Sequence, residues 1–205
     1  MEVYEKALGP EHPGTATGLN NLATLYYDQG NYDEAESLHK RALDIRERTP
    51  GPEHPDTAIS LSNLAELYRR QGRYAEAEPL CKRALDIWES VLGQKHPHTA
   101  ATITVLAILH RNQGRYEEAE PLYKRSLKIF EKAHGPKHPN TAIALNNLAN
   151  LYHSQGRHGE AQPLYKRAVR ILEKAVGLNH PHTVRVKKSY HQLLIEMTKH
   201  KPRGI

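Results

Sequence analysis

Apolar residues recur at helical spacing along this chain, and short segments rich in glycine, proline and polar residues interrupt them. The first complete apolar series consists of Leu19, Leu22, Ala23, Leu25 and Tyr26. Its i, i+3, i+4 spacing predicts a helix that is buried along one face. Gly30, a residue type that ends helices in the left-handed conformation, precedes a second such series. The pattern therefore predicts a helix A and a helix B, which are antiparallel because their connection is short.

The same pattern returns every 42 residues, a spacing measured most easily on a His-Pro pair. The histidines of these pairs are His12, His54, His96, His138 and His180. A fixed period of this length is typical of a helical repeat array. We predict a single array over 1–198, with a truncated helix B in 1–8, repeats in 14–50, 56–92, 98–134 and 140–176, and a capping helix in 183–198. Residues 199–205 are expected to form a disordered tail, and the mid-repeat start suggests a piece of a longer array.

Composition and the distribution of apolar residues add four constraints to this picture. A hydrophobic content of 38 % suits a thin stack of helices better than a globule with one thick core. The net charge of +6 favours an acidic partner or a solvated basic surface. Cys81 is the single cysteine, so the chain cannot form an internal disulfide. There is no long apolar run, so we expect no membrane association, and we expect a cytoplasmic protein.

The repeat consensus LNNLAxLYxxQGxYxEAExLxKRALxI, followed by GPxHPxT, resembles the kinesin light chain type of tetratricopeptide repeat. The resemblance covers nearly the whole chain, although the period is 42 residues where the usual tetratricopeptide period is about 34. It implies an all-α solenoid of antiparallel helix pairs, with a right-handed superhelix and a concave groove lined by the A helices. It also implies a protein that binds other proteins and needs no cofactor.

Motifs for catalysis or metal binding do not stand out. The phosphate-binding loop, the nucleophile elbow and the HExxH zinc motif are all missing from the sequence, so we expect no enzyme. Five of the fourteen histidines belong to the repeated loop, where a role in the turn explains them better than a metal does. Cys81 is expected to pack between helices.

The resemblance places the candidate binding residues on the A helices, on the side away from the B helices. The peptide-binding candidates are Asn20, Asn21, Asn63, Glu66, Arg69, Arg70, Val105, Ile108, Arg111, Asn146, Asn147 and Asn150. Primary amides can pair with a peptide backbone, and arginine forks can hold carboxylates. Val105 and Ile108 could accept an aromatic or aliphatic anchor. The alternative is that Asn63 and Asn147 only bond neighbouring helices.

Three functional hypotheses follow. The first is a non-enzymatic scaffold that binds an extended, acidic peptide with an apolar anchor. The second is a regulatory or self-association module of a larger signalling protein, using the open N-terminal end. The third is nucleic-acid binding by repeated Lys-Arg pairs such as Lys82-Arg83, but a glutamate four residues before each of the first three lysines favours a salt-bridged outer face.

Overall fold

The computed structural model describes residues 6–199, and all the secondary structure in this range is helical. We number the helices α1 to α9 in chain order. Their bounds are α1 Pro13–Gln29, α2 Tyr32–Arg48, α3 Pro55–Arg70, α4 Tyr74–Leu92, α5 Pro97–Asn112, α6 Tyr116–His134, α7 Pro139–Ser154, α8 His158–Ala175 and α9 Pro181–Lys199. The predicted all-α architecture of successive helix pairs is confirmed. The right-handed superhelix and the concave groove stay predictions.

Glycine ends the A helices as the sequence indicates. Gly30 follows α1 with φ 82°, and its N–H bonds back to the Tyr27 carbonyl at 3.0 Å. A residue with a Cβ would be strained in this left-handed conformation, which explains the glycine. Only Gly30 and Asn31 separate α1 from α2, so the chain reverses at once.

The helices after the His-Pro pairs begin at the proline, one residue earlier than predicted in the four repeats and two residues earlier in the capping helix. Asp56 and Asn140 belong to residue types that usually cap helices, but the capping residues are His54 and His138. The Nδ1 atom of His54 accepts the N–H of Asp56 at 3.1 Å. Proline fits the first helical position because its fixed φ matches the helix and its missing N–H would have no partner there.

A threonine closes the same loop in all five copies. The Thr57 hydroxyl donates to the Gly51 carbonyl at 2.7 Å, six residues back, and its side chain is fully buried. The four equivalent threonines make the same bond at 2.7–2.9 Å: Thr15, Thr99, Thr141 and Thr183. The repeated HPxT motif is thus a loop closure, as its structural interpretation expected.

The chain is divided into two compact units, 1–109 and 110–205. In the first unit, α1 packs on α2, α2 on α3 and α3 on α4. One core cluster of this unit combines Ala58, Leu61, Ala84, Ile87 and Trp88. In the second unit, α6 packs on α7, α7 on α8 and α8 on α9. The single array over 1–198 stays a prediction.

A half-buried glutamate ties successive repeats together in each unit. In the first unit, Glu36 accepts the Tyr68 hydroxyl at 3.0 Å and pairs with Arg73 at 2.5 Å and Lys40 at 2.7 Å. Burial alone would raise the pKa of Glu36, but the bonds from Arg73, Lys40 and Tyr68 together lower it to about 2.

The second unit repeats this arrangement around Glu120. The carboxylate accepts from Tyr152 at 3.1 Å and pairs with Arg157 at 2.6 Å and Lys124 at 2.7 Å. The Arg157 bond is the largest cause that lowers the pKa of Glu120 to about 2. With Lys82–Glu78, three of the predicted i,i+4 ion pairs on the B helices are present.

None of the helices within 6–199 has both the length and the apolar character that crossing a membrane requires. Residues 6–8 are helical, and the rest of the predicted N-terminal helix end lies outside the described residues. The predicted tail also lies outside them, except for Lys199, which is the last residue of α9.

Candidate functional site

The polar candidates of the first unit form one cluster on α1 and α3. Arg69 holds Glu66 with two guanidinium nitrogens, the Nε–Oε2 distance being 2.6 Å. Arg70 donates through Nε to the Tyr27 hydroxyl at 2.6 Å, and this nitrogen lies 3.6 Å from Glu66. Two arginines against one carboxylate leave the cluster with a net positive charge, but Glu66 already occupies Arg69.

Asn63 lies beside a cavity of about 190 Å³ in the same unit. The cavity is lined by Ile59, Ser62, Asn63, Cys81, Trp88, His98, Ala101, Thr102 and Val105. The Trp88 and His98 rings stack there with their centroids 5.1 Å apart. The lining is mainly apolar, with the Asn63 amide at its edge, so it can receive an apolar group next to a hydrogen-bonding one.

A smaller cavity of about 90 Å³ shares Asn63 and continues to the polar cluster. Its other lining residues are Thr24, Tyr27, His39 and Glu66. Asn63 therefore stands between an apolar cavity and a charged cluster. Of the two predicted apolar anchors, Val105 lines the larger cavity, whereas Ile108 lies outside its lining and is half-buried.

The adjacent candidates Asn20 and Asn21 have opposite environments. Asn20 is buried, donates to the Ser60 hydroxyl at 2.9 Å and lies 2.8 Å from His39 Nδ1. Both ends of the Asn20 amide are therefore bonded to neighbouring helices, so this residue has a structural role. Asn21 is exposed.

The candidates of the second unit are also divided. Asn146 is buried and its Oδ1 has no hydrogen-bond partner among the described residues, whereas Asn147 is half-buried. Asn150 accepts the Tyr165 hydroxyl at 2.6 Å. Arg111 is half-buried and donates to Asn112 at 3.3 Å. Unlike Arg69, Arg111 pairs with no carboxylate among residues 6–199.

A basic cavity of about 390 Å³ lies elsewhere in the second unit, and the sequence analysis did not single it out. Its lining consists of Pro136, Lys137, Arg167, Arg170, Ile171 and Lys174. Arg167 also pairs with Glu131 at 2.7 Å. Four cationic residues around one cavity favour an anionic group of a partner.

The sequence analysis also missed a cluster of two histidines and a glutamate. His153 Nε2 lies 2.7 Å from Glu196 Oε2, and His158 Nε2 lies 3.8 Å from the same oxygen. All three side chains are half-buried. A usable signal existed: His158 stands where the earlier B helices begin with tyrosine, and His153 stands where the earlier A helices carry tyrosine or arginine.

Burial controls the pKa values of His39 and Cys81 in the first unit. It lowers the pKa of His39 to about 4, so this imidazole is neutral at pH 7. Burial also raises the pKa of the Cys81 thiol to about 12, which leaves almost no thiolate. Cys81 is 1 % exposed, so its predicted packing role is confirmed.

Comparisons with known proteins agree with this geometry. A sequence profile described as tetratricopeptide repeat matches residues 1–48, 15–80, 56–132 and 101–174. No curated protein sequence matches the chain significantly.

Three solved structures illustrate the similarity. The nearly identical TPR-like repeats of a Podosopora anserina protein assigned as a kinesin light chain share 26 % identity and a TM-score of 0.77, over 92 % of this chain and 89 % of theirs. BtubC (BKLC) from P. vanneervenii shares 24 % identity and a TM-score of 0.69, over 94 % and 85 %. A Rap protein complexed with Competence and Sporulation Factor shares 19 % identity and a TM-score of 0.75, over 88 % of this chain but 48 % of its own.

Proposed function

The chain belongs to the tetratricopeptide repeat family, in its kinesin light chain-like type, and we propose that it is a non-enzymatic, cytoplasmic scaffold whose first unit binds an extended peptide. The peptide carries one aromatic or aliphatic side chain, which enters the cavity beside Asn63, and an acidic side chain close to it. The neutral, buried Cys81 and His39 side chains in these cavities offer no activated nucleophile, which supports a binding role.

The observation that carries the proposal is the cavity of about 190 Å³. Pockets for drug-sized ligands measure about 300–1,000 Å³, so this one is too small for them. An apolar cavity of about 150 Å³ can hold benzene, so one aromatic or branched aliphatic side chain is a suitable occupant. Asn63 at the rim can donate to and accept from the peptide backbone.

The preference for an acidic neighbour rests on Arg70 more than on Arg69. Arg69 is held by Glu66, so a ligand carboxylate would have to displace an internal one. The Arg70 side chain is 56 % exposed and makes one long approach to Glu66, so it remains accessible to a ligand. Because this pair would lie near solvent, it contributes about 1 kcal/mol or less and weakens with salt.

The test is fluorescence anisotropy with labelled acidic peptides that contain one tryptophan, one leucine or only alanine at the anchor position. Ala101→Phe is designed to fill the cavity, and Asn63→Ala removes the rim amide. We expect either change to weaken binding of the tryptophan and leucine peptides at least about tenfold, as for a central interface residue. Equal binding of the alanine peptide would contradict the proposal.

Arg70→Gln tests the acidic preference, and Lys82→Gln is its matched control. Both remove one positive charge from a side chain that is more than half exposed, but Lys82 lies on α4 and pairs with Glu78. We expect Arg70→Gln to weaken binding about two- to fivefold at low salt and Lys82→Gln to leave it unchanged. Equal losses of affinity in the two variants would show that net charge, and not a specific contact of Arg70, causes the weaker binding.

A regulatory or self-association module is the competing proposal. Light scattering over a range of protein concentrations distinguishes the two, because self-association raises the mean mass without any peptide. Nucleic-acid binding has a different signature, a strong dependence of oligonucleotide affinity on salt.

A further inference from the structure

The end of the second unit brings two imidazoles and a carboxylate together from three helices. His153 is near the end of α7, His158 begins α8, and Glu196 is in the last turns of α9. One candidate donor atom from each residue lies within 4.8 Å of the other two. Neither imidazole belongs to the repeated His-Pro loops, so the capping role found there does not explain them.

The repeat geometry accounts for the proximity of these residues. Positions 27, 32 and 70 in the first unit correspond, three repeats later, to positions 153, 158 and 196. There the Tyr27 and Tyr32 rings lie 5.9 Å apart, and the Arg70 guanidinium lies 5.7 Å from the Tyr27 ring. The fold therefore brings these three positions together in both units, and in the second unit they are His, His and Glu.

A neighbouring side chain orients the carboxylate. Gln192, one turn earlier on α9, donates to Glu196 Oε1 at 2.7 Å, so Oε2 faces the two histidines. Outer partners that fix a ligand in this way are typical of metal sites. The same carboxylate bonds directly to His153 at 2.7 Å, so a simple hydrogen-bonded contact is the competing explanation.

We propose that His153, His158 and Glu196 bind a zinc ion through His153 Nε2, His158 Nε2 and Glu196 Oε2. Two imidazole nitrogens and one carboxylate form a donor set that zinc uses with a fourth, exchangeable position. Two nitrogen ligands disfavour magnesium and calcium, which prefer oxygen.

The three donor atoms, which lie within 4.8 Å of one another, need modest movements to reach zinc geometry. Bonds of about 2.0–2.2 Å in a tetrahedral arrangement hold ligand atoms about 3.4 Å apart. The His153–Glu196 separation of 2.7 Å must widen and the His158–Glu196 separation of 3.8 Å must close, each by less than about 1 Å. Rotation of half-buried side chains supplies such movements. The bound ion would fasten α9 to the α7–α8 pair.

The test is isothermal titration of the chelator-treated full chain with zinc chloride in a buffer that does not bind metals. We expect one zinc ion per chain. His158→Gln and Glu196→Gln should each weaken zinc binding at least about tenfold, since even outer partners of metal sites contribute this much. Magnesium chloride should give no binding.

His191→Gln is the matched control, because it removes an exposed histidine from the same helix and keeps the three ligands. We expect it to retain wild-type zinc affinity. Circular dichroism of each metal-free variant checks its folding, and if Glu196→Gln unfolds then His158→Gln decides. Absence of zinc binding by the wild-type chain, or equal affinity in His158→Gln and His191→Gln, would overturn the site.

Discussion

His39 shows how one buried side chain determines a pH response. Its Nδ1 atom lies 2.8 Å from Asn20 Oδ1, an acceptor, so the neutral ring carries its proton on Nδ1. Burial lowers the pKa of His39 to about 4, whereas an unfolded chain has its histidine pKa near 6.5. Between these two values the unfolded chain holds a proton that the folded chain lacks.

We therefore predict that His39 makes the fold less stable as pH falls. Its contribution is complete above about pH 6.5 and is lost progressively down to about pH 4, for a total of about 2–3 kcal/mol. The measurement is the free energy of urea unfolding at several pH values across this window.

His39→Tyr is the matched variant, because Tyr165 occupies the equivalent position in the last repeat. The Tyr165 hydroxyl reaches Asn150, whose counterpart near His39 is Thr24. In His39→Tyr, Asn20 Oδ1 would lose its imidazole partner, just as the equivalent Asn146 Oδ1 has no partner within residues 6–199. We expect a flatter pH profile above pH 4.5, and an unchanged slope would show that other groups cause the acid sensitivity.

At the scale of the element, hydrogen bonds join the HPxT loop and the start of the following helix into one structural unit. The Thr57 hydroxyl reaches the Gly51 carbonyl at 2.7 Å, while the His54 ring accepts the N–H of Asp56. The threonine is fully buried, so water cannot replace the bond it makes. Each A helix is thereby held to the loop that precedes it.

We predict that Thr57→Val lowers the free energy of unfolding by about 1–2 kcal/mol, because it removes the hydroxyl bond to the Gly51 carbonyl in a nearly unchanged volume. The carbonyl then keeps only the longer bond from the His54 N–H at 3.2 Å. Urea unfolding followed by far-UV circular dichroism measures the loss. Thr24→Val is the control, since Thr24 is exposed and its hydroxyl only returns to the Asn20 carbonyl within its own helix. Its effect should stay within about 0.5 kcal/mol, and a similar loss in both variants would contradict the loop role.

The helix pairs were predictable from the sequence because the 42-residue period repeats every local signal several times. The capping residue was not, because Asp56 belongs to the residue types that usually cap, whereas the proline before it moves the helix start. Asn20 and Asn21 are neighbours on one helix and differ by about 100° in direction, so a small rotation decides which is buried. The cavity beside Asn63 depends on side chains from three helices, which no single repeat reveals.

For the whole molecule, the two glutamate networks allow a test of how many neighbouring helices are destabilised when one interaction is removed. Glu36 and Glu120 occupy equivalent positions in the first and second units and accept from the same types of donor. Their side chains are 15 % and 19 % exposed, so these carboxylates are shielded better than that of Asp44, which is 61 % exposed in its pair with Arg48. In repeat proteins, each repeat interacts with its nearest neighbours, and stability is approximately a sum of local terms.

We predict that Glu36→Gln and Glu120→Gln have local and complementary effects on amide hydrogen exchange. Glu36→Gln should lower the opening free energy of amides in α2 and α3 by about 1–2 kcal/mol and spare those in α7 and α8. Glu120→Gln should lower protection in α6 and α7 and spare α2. The free energies come from native-state exchange measured by mass spectrometry on peptides from each helix.

Glu34→Gln serves as the control, because it removes the same charge from an exposed position on α2. It should leave protection unchanged within about 0.5 kcal/mol. If Glu36→Gln lowered protection equally in every helix, the chain would open as one cooperative body and the nearest-neighbour account of its stability would be wrong. A loss of protection confined to the neighbouring helices would instead support the nearest-neighbour account. We would then expect a partner bound to one unit to stabilise chiefly the repeats that it contacts.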